Sequence, residues 1–206
     1  MVTMDLAGRA RRLSESAPDQ RRLVVMTSHP APRISIVYAT AQGSTREIAE
    51  YLGENLTARG ATVEVADAEH APELSRFDAV VIGSAVHNMA LLPDAATYIA
   101  SHHDELAARK VWLFSVGVGP ALYGPVGRLT PKRIAALRDS IDTVDYRAFA
   151  GHYERAGVSL GARALFRVLG GTRYGDLRDW TAIASWADSI ALTLGLPRPA
   201  SVPTHP

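Results

Sequence analysis

The chain has 206 residues, of which 47% are hydrophobic and 21% charged, and its net charge is +1. This length and composition suit one globular domain with a sizeable core. The absence of cysteine excludes disulfides, iron–sulfur clusters, thiolate zinc sites and thiol redox chemistry. No apolar stretch approaches the roughly 20 residues that a membrane-spanning helix needs, and we predict neither a metal site nor a nucleic-acid partner.

Residues 1–32 are rich in arginine and lack a sustained apolar face, so we predict a disordered extension. They lack the apolar centre of a secretory signal, and their acidic residues are atypical of a transit peptide. Met1 and Met26 are both candidate start residues. The globular domain is expected at residues 33–197, followed by a flexible tail at 198–206.

From residue 33 onward, short apolar runs alternate with segments of helical period, which indicates βαβ units around a parallel sheet. Strands are predicted at residues 34–38, 62–65, 77–82, 111–114 and 144–150. Helices are predicted at residues 45–59, 93–108, 131–139 and from Asp179, the N-cap, to Gly195.

The second predicted strand alternates polar and apolar residues, as an edge strand does, whereas the third is a continuous apolar run and should be central. The predicted fold class is α/β, with a doubly wound sheet of five parallel strands. Its ligand site should lie at the carboxyl ends of the strands.

The loop between the first strand and the first helix has the features of a phosphate cradle. Free N–H groups at a helix start attract anions, hydroxyls add donors, and a glycine permits close approach. The loop matches neither a P-loop nor a dinucleotide fingerprint. The alternative is a plain turn whose Ser or Thr caps the helix. The residues concerned are Thr40, Ala41, Gln42, Gly43, Ser44 and Thr45.

Two further loops should form the walls of a slot for a planar ring. Candidates for apolar contact with its faces are Met89, Leu92 and Tyr123, although Met89 and Leu92 could instead belong to the core. The first wall consists of Ser84, Ala85, Val86, His87, Asn88 and Met89, and the second of Ser115, Val116, Gly117, Val118 and Gly119.

Residues 36–49, IVYATAQGSTREIA, resemble the start of flavodoxins, and residues 81–86, VIGSAV, resemble their second flavin loop. Three further segments recur in the same order, namely AGHY at 150–153, the glycine pair at 170–171 and DW at 179–180. With them, the sequence is most similar to menaquinone-dependent protoporphyrinogen IX dehydrogenases. The resemblance implies a flavodoxin-like sheet with the strand order 2-1-3-4-5. It also implies that residues 40–45 hold the phosphate of FMN, and that residues 84–89 and 115–119 hold its ring. The aromatic residues that stack on the ring in flavodoxins are absent from residues 84–89, so a deazaflavin is the alternative cofactor.

Flavodoxins that act as electron carriers are typically acidic, whereas this chain has a net charge of +1. Its second arginine-rich segment includes a predicted helix at residues 159–169, with Arg163 and Arg167 on one strip. This helix could contact an anionic membrane surface, where a quinone is available, or a substrate carboxylate. The alternative is packing on the domain or on a second subunit. The arginines are Arg147, Arg155, Arg163, Arg167, Arg173 and Arg178.

Our enzyme hypothesis is therefore flavin-dependent oxidation of protoporphyrinogen IX or a similar reduced substrate, with a quinone as acceptor. A non-catalytic electron shuttle is the rival hypothesis, and an FMN-binding regulatory module is a third. His87 and His152 are weak candidates for proton tuning, and no residue is singled out as a catalytic acid or base. We expect a cytoplasmic protein, with a peripheral position on the inner face of the membrane as the second option, and the oligomeric state stays open.

Overall fold

A parallel sheet forms the centre of the computed structural model, which describes residues 30–117, 119, 130–153 and 175–198. Its path is β2-β1-β3-β5-β6, and the short β4 pairs antiparallel with the end of β3. The predicted order 2-1-3-4-5 is confirmed, because the fourth and fifth predicted strands are β5 and β6. The strands are β1 (Arg33–Ala39), β2 (Thr62–Asp67), β3 (Ala79–His87), β4 (Ala90–Leu91), β5 (Lys110–Val116) and β6 (Asp145–Phe149).

The helices cover both faces of this sheet. The predicted N-cap of the last helix is confirmed, since the Ala182 N–H donates to Asp179 Oδ1 at 2.9 Å. Gly195, with φ of 69°, follows the end of that helix. The helices are α1 (Ser44–Thr57), α2 (Pro93–Ser101), α3 (His103–Ala107), α4 (Lys132–Ser140) and α5 (Trp180–Thr193).

The prediction of a single helix at residues 93–108 is wrong, because the helix is interrupted at His102, where φ is −111° and ψ is 21°. The His102 ring bends back, so that Nδ1 lies 3.0 Å from the Tyr98 carbonyl oxygen and the two rings lie 4.5 Å apart. The Tyr98 carbonyl also accepts from the His102 N–H at 3.1 Å, and the non-helical φ and ψ of His102 end α2 at this residue. The chain therefore divides into α2 and α3.

Successive residues of β1 face opposite sides of the sheet, as in any strand. Ile34 and Ile36 pack with α1 and α5, whereas Val37 and Ala39 pack with α2, α3 and α4. Burial on both faces explains the continuous apolar run at the start of the domain. The described elements all belong to one compact unit, Ala31–Pro206.

A separate antiparallel pair, β7 (His152–Tyr153) and β8 (Gly175–Asp176), follows the sheet in the chain. The fifth strand predicted at residues 144–150 corresponds to β6, which is one residue shorter at each end. Within the described ranges, none of the helices has the length and apolar character needed to cross a bilayer. The predicted N-terminal extension and C-terminal tail lie outside these ranges, apart from residues 30–32 and 198.

Candidate functional site

The sheet register brings the three predicted loops together. Ala39 of β1 pairs in register with Ser84 of β3, and Ser84 pairs with Ser115 of β5. Residues 40–43 follow β1 directly, and Gly117 follows β5. The three segments singled out in the sequence therefore lie along one edge of the sheet, at the carboxyl ends of its central strands.

Gly43 shapes the turn between β1 and α1. It adopts the left-handed conformation, with φ of 93° and ψ of −28°, and no side chain caps the helix. The Gly43 N–H donates to Thr40 Oγ1 at 3.0 Å, and the Glu47 N–H donates to the Gly43 carbonyl at 3.1 Å. Because Thr40 Oγ1 acts here as an acceptor, its own proton is still available for a ligand.

The first turn of α1 carries a cluster of available donors. Among the described residues, the N–H groups of Ser44, Thr45 and Arg46 have no acceptor, as expected at a helix start. The Thr45 hydroxyl is buried, at 1% exposure of the residue, and no described residue partners it. A buried hydroxyl without a partner is costly, and an anion bound at this turn would provide one. The local chemistry thus fits a phosphate group.

The Ser44 side chain has a different role from the one predicted. Its hydroxyl donates to the His152 carbonyl at 3.2 Å and accepts from the His152 N–H at 2.9 Å. A hydroxyl has one proton, so in this arrangement Ser44 contributes its backbone N–H, not its side chain, to the donors of the turn. The contact attaches β7 to the start of α1, 108 residues earlier in the chain.

The second predicted loop is a tight β-hairpin. β3 extends to His87, beyond the strand end predicted at residue 82, because β4 turns back along it. Asn88 and Met89 form the turn with φ of 50° and 58°, and Met89 is 69% exposed. Met89 therefore lies outside the core, whereas Leu92 is partly buried against it. The Ser84 hydroxyl is occupied, since it accepts from the Leu92 N–H at 2.9 Å and donates to the Ala85 carbonyl at 2.8 Å.

The third predicted loop begins close to the second. A Cβ added at Gly117 would lie 3.3 Å from the Cβ of Val86, so the backbone passes tightly against β3. The buried Ser115 Oγ lies 2.6 Å from Tyr146 Oη, in a hydrogen bond between β5 and β6. Burial raises the pKa of Tyr146 above its usual value, although the Ser115 contact opposes that shift. Its neutral phenol is the stable form at physiological pH.

An ion-pair cluster beside the first turn of α1 was not predicted. Arg178 Nε and Nη2 donate to the two Asp176 carboxylate oxygens at 2.7 and 2.8 Å, and Nη1 donates to Glu47 Oε2. The guanidinium also lies 4.5 Å from the centre of the Trp180 ring. The hydrogen bonds from Arg178 hold the pKa of Asp176 at about 2. Its carboxylate is therefore ionised throughout the physiological range.

Arg147 and Arg178 are the members of the arginine-rich segment that lie in the described ranges. The Arg178 side chain is only 6% exposed, and Arg147 Nε donates to Asp145 Oδ2 at 3.0 Å. Both cations are thus paired within the fold. Other predicted features fall outside the described residues, namely Val118, Tyr123, Arg155, Arg163, Arg167, Arg173 and the helix at 159–169.

An exposed group of possible metal ligands lies after β2, where Asp67, Glu69 and His70 bring ligand atoms within 4.8 Å of one another. Asp67 Oδ1 accepts from the N–H groups of the other two residues, each at 3.0 Å, and lies 2.8 Å from His70 Nδ1. This contact lowers the pKa of Asp67 and raises that of His70. The hydrogen bonds of this turn explain why the three side chains lie together.

Comparisons with known proteins agree with this architecture. A family model described as a flavodoxin domain matches residues 35–174, and a comparison with curated proteins finds no match. A rubredoxin oxygen:oxidoreductase from Desulfovibrio gigas superposes with a TM-score of 0.53 and 18% identity, over 81% of this chain and 37% of that chain. A short-chain flavodoxin associated with a non-canonical PDU bacterial microcompartment gives 0.50 and 13%, over 79% and 98%. These structures share the fold, and this chain spans about 37% of the length of the oxidoreductase.

Proposed function

This chain belongs to the flavodoxin domain family, and from that premise we propose that it binds FMN at the carboxyl ends of β1, β3 and β5 and transfers electrons through it. Membership of the family supports FMN as the cofactor. When bound, FMN supplies the redox chemistry, and the protein contributes position and electrostatics. The observation that carries the proposal is the buried Thr45 hydroxyl without a described partner, in the second residue of a helix whose N-cap is a left-handed glycine.

The phosphate of FMN is assigned to residues 40–45. The N–H groups of Ser44, Thr45 and Arg46 and the hydroxyls of Thr40 and Thr45 supply the donors, and the positive end of the α1 dipole favours the anion. Within the described ranges, and apart from Gly43 and its chain neighbours, Glu47 Oε1, at 3.8 Å, is the only atom within 4 Å of an ideal Cβ at Gly43. The backbone can therefore come close to a ligand at this turn.

The ring of the flavin is assigned to the segments at 84–89 and 115–119. Since β3 and β5 are neighbours in the sheet and Gly117 packs against Val86, the described residues of these segments up to Gly117 lie side by side at the edge that also holds the phosphate turn. Backbone groups are the most suitable partners for the polar edge of the ring, because the Ser84 and Ser115 hydroxyls are already hydrogen-bonded. Met89, exposed at the tip of the hairpin, is the candidate for contact with a ring face.

The absorption spectrum of the purified protein tests the cofactor. We expect flavin bands in the blue and near ultraviolet, present after purification or restored by adding FMN. Titration with a deazaflavin 5′-phosphate is the comparison, since it keeps the phosphate and changes only the ring. Binding of the deazaflavin alone would replace FMN as the cofactor, and binding of neither would contradict the proposal.

As the finer form of this function we propose oxidation of a reduced organic substrate, with protoporphyrinogen IX as the first candidate and a quinone as acceptor. In each oxidation step the substrate loses two electrons and two protons. One quinone takes up these electrons and protons and becomes a quinol. The support is the sequence resemblance together with the net charge of +1, which differs from the acidic character expected of a carrier that docks on basic partners.

An anaerobic assay distinguishes an enzyme from a carrier. We expect the FMN-loaded protein to oxidise protoporphyrinogen IX when a menaquinone analogue is present, with the porphyrin appearing in the absorption spectrum. A protein that leaves this substrate unchanged, but accepts electrons from a ferredoxin reductase and passes them to a second protein, is a carrier. That second result would contradict the enzyme proposal while leaving FMN binding intact.

A further inference from the structure

Arg178 connects three parts of the fold at one point. It lies between β8 and α5, with a side chain that is 6% exposed. Its guanidinium donates to Asp176 through Nε and Nη2 and to Glu47 through Nη1, and one face lies over the Trp180 ring. A planar fork of this kind fixes the position of the groups it contacts, which a lysine could not do in the same way.

Glu47 is the reason that this contact bears on the cofactor site. An ideal Cβ at Gly43 would lie 3.8 Å from Glu47 Oε1, so the carboxylate is next to the turn to which we assign the phosphate. A carboxylate near a helix start stabilises the helix, but it also repels a second anion. The Arg178 guanidinium, which Glu47 shares with Asp176, offsets part of this negative charge.

A second contact attaches the same part of the chain to the same turn. The His152 backbone makes two hydrogen bonds with Ser44 Oγ, and His152 pairs in register with Asp176 across β7 and β8. The two contacts therefore reach residues 44 and 47 of α1 from one short sheet. Arg178, through Asp176, holds that sheet against the first turn of the helix.

We propose that Arg178 is a positioning residue that makes the site selective for the phosphorylated flavin, FMN, over riboflavin. It does so by balancing the charge of Glu47 and by holding the β7–β8 pair against the phosphate turn. This inference rests on the proposed function. Because riboflavin presents the same ring without a phosphate, the ratio of the two dissociation constants isolates the effect on the phosphate.

The test is a fluorescence titration of the full chain, stripped of flavin, with FMN and with riboflavin. Arg178→Gln should lower the preference for FMN on the order of tenfold, because Glu47 is then unbalanced beside the phosphate. Adding Glu47→Gln to that variant should restore most of the preference. Arg59→Gln is the matched control: Arg59 pairs with Asp188 and is 10% exposed, but it follows the opposite end of α1, and its ratio should equal that of the wild type.

An unchanged ratio in Arg178→Gln, or no recovery on adding Glu47→Gln, would overturn the inference. If Arg178→Gln does not fold, Glu47→Gln alone decides: Arg178, Asp176 and Glu47 together carry one net negative charge, and the substitution removes it, so FMN should bind severalfold more tightly while riboflavin binding is unchanged. Equal effects on both flavins would overturn the inference while FMN binding stands. A wild-type protein that binds neither flavin overturns the proposed function itself.

Discussion

The Phe114 ring lies against the backbone of Gly83 on the neighbouring strand, so closely that a Cβ at Gly83 would come within 2.1 Å of Phe114 Cζ. Phe114 cannot move away easily, because the Trp186 and Phe149 rings lie 5.8 and 6.1 Å from its centre. Gly83 is also the residue before Ser84, where the β3 part of the candidate site begins. Packing of the core thus determines where this part of β3 lies.

Gly83→Ala should destabilise the fold by about 1–3 kcal/mol, because the added methyl group forces the aromatic cluster to shift. Urea unfolding monitored by tryptophan fluorescence measures the change. Phe114→Leu removes the ring atoms that clash with the added methyl group. The double variant should therefore be more stable than the sum of the two separate losses predicts. A Gly83→Ala protein as stable as the wild type would show that the ring does not occupy this position.

Gly43→Val should weaken FMN binding, since a side chain at the phosphate turn crowds the ligand. Gly60→Val is the matched control: its φ of 89° is close to the 93° of Gly43, and a Cβ there meets no atom within 4 Å. Both variants carry backbone strain of about 1–3 kcal/mol, which thermal unfolding measures. Only Gly43→Val should change the FMN dissociation constant, and equal constants for the two variants would refute the assignment of the turn.

Thr45→Val should have opposite effects on folding and on binding. It replaces a buried hydroxyl without a described partner by a methyl group, so the flavin-free protein should be as stable as the wild type or more stable by about 1 kcal/mol. FMN affinity should fall about tenfold through loss of a charged hydrogen bond. Ser35→Ala removes a similarly buried, unpartnered hydroxyl from the start of β1 and should leave FMN affinity unchanged.

The Asp176–Arg178 ion pair should make stability depend on pH in the acid range. Arg178 holds the folded-state pKa of Asp176 at about 2, below its ordinary value of 3.8, so the folded protein favours the ionised form. The stability that this preference adds is present above the ordinary pKa of 3.8, and it is lost as pH falls through the folded-state pKa of about 2. The stability difference between wild type and Asp176→Asn should therefore shrink from about pH 4 to pH 2. In the Arg178→Gln background this pH dependence should disappear, and its persistence would argue against the pair.

Most of the fold could be predicted because its signals are local. Strands buried on both faces produce apolar runs, and Asp179 and Gly195 bound the last helix with side-chain and backbone preferences that act within a few residues. The break at His102 was not predictable from periodicity, since it consists of the φ and ψ angles of one residue between two helical segments. The hairpin at Asn88 and Met89 was also missed, because neither residue is the glycine that usually marks such a turn.

Candidate residues of the site could be chosen from the sequence only where they are neighbours in the chain. The turn at residues 40–45 combines a glycine with hydroxyls and could be identified directly. The contacts that attach β7 and β8 to it join residues more than 100 positions apart, Ser44 with His152 and Glu47 with Arg178. Arg178 was singled out only as one of six arginines, because a count of charges does not reveal which of them are paired.

Equilibrium titration of the flavin-free wild-type protein with FMN and with riboflavin tests the central claim, that residues 40–45 bind the phosphate of a flavin. The account predicts saturation at one FMN per chain, with riboflavin bound at least about tenfold more weakly, because several charge-assisted hydrogen bonds to the phosphate are then missing. Equal affinities for the two flavins, or the absence of saturable FMN binding by the folded protein, would contradict it.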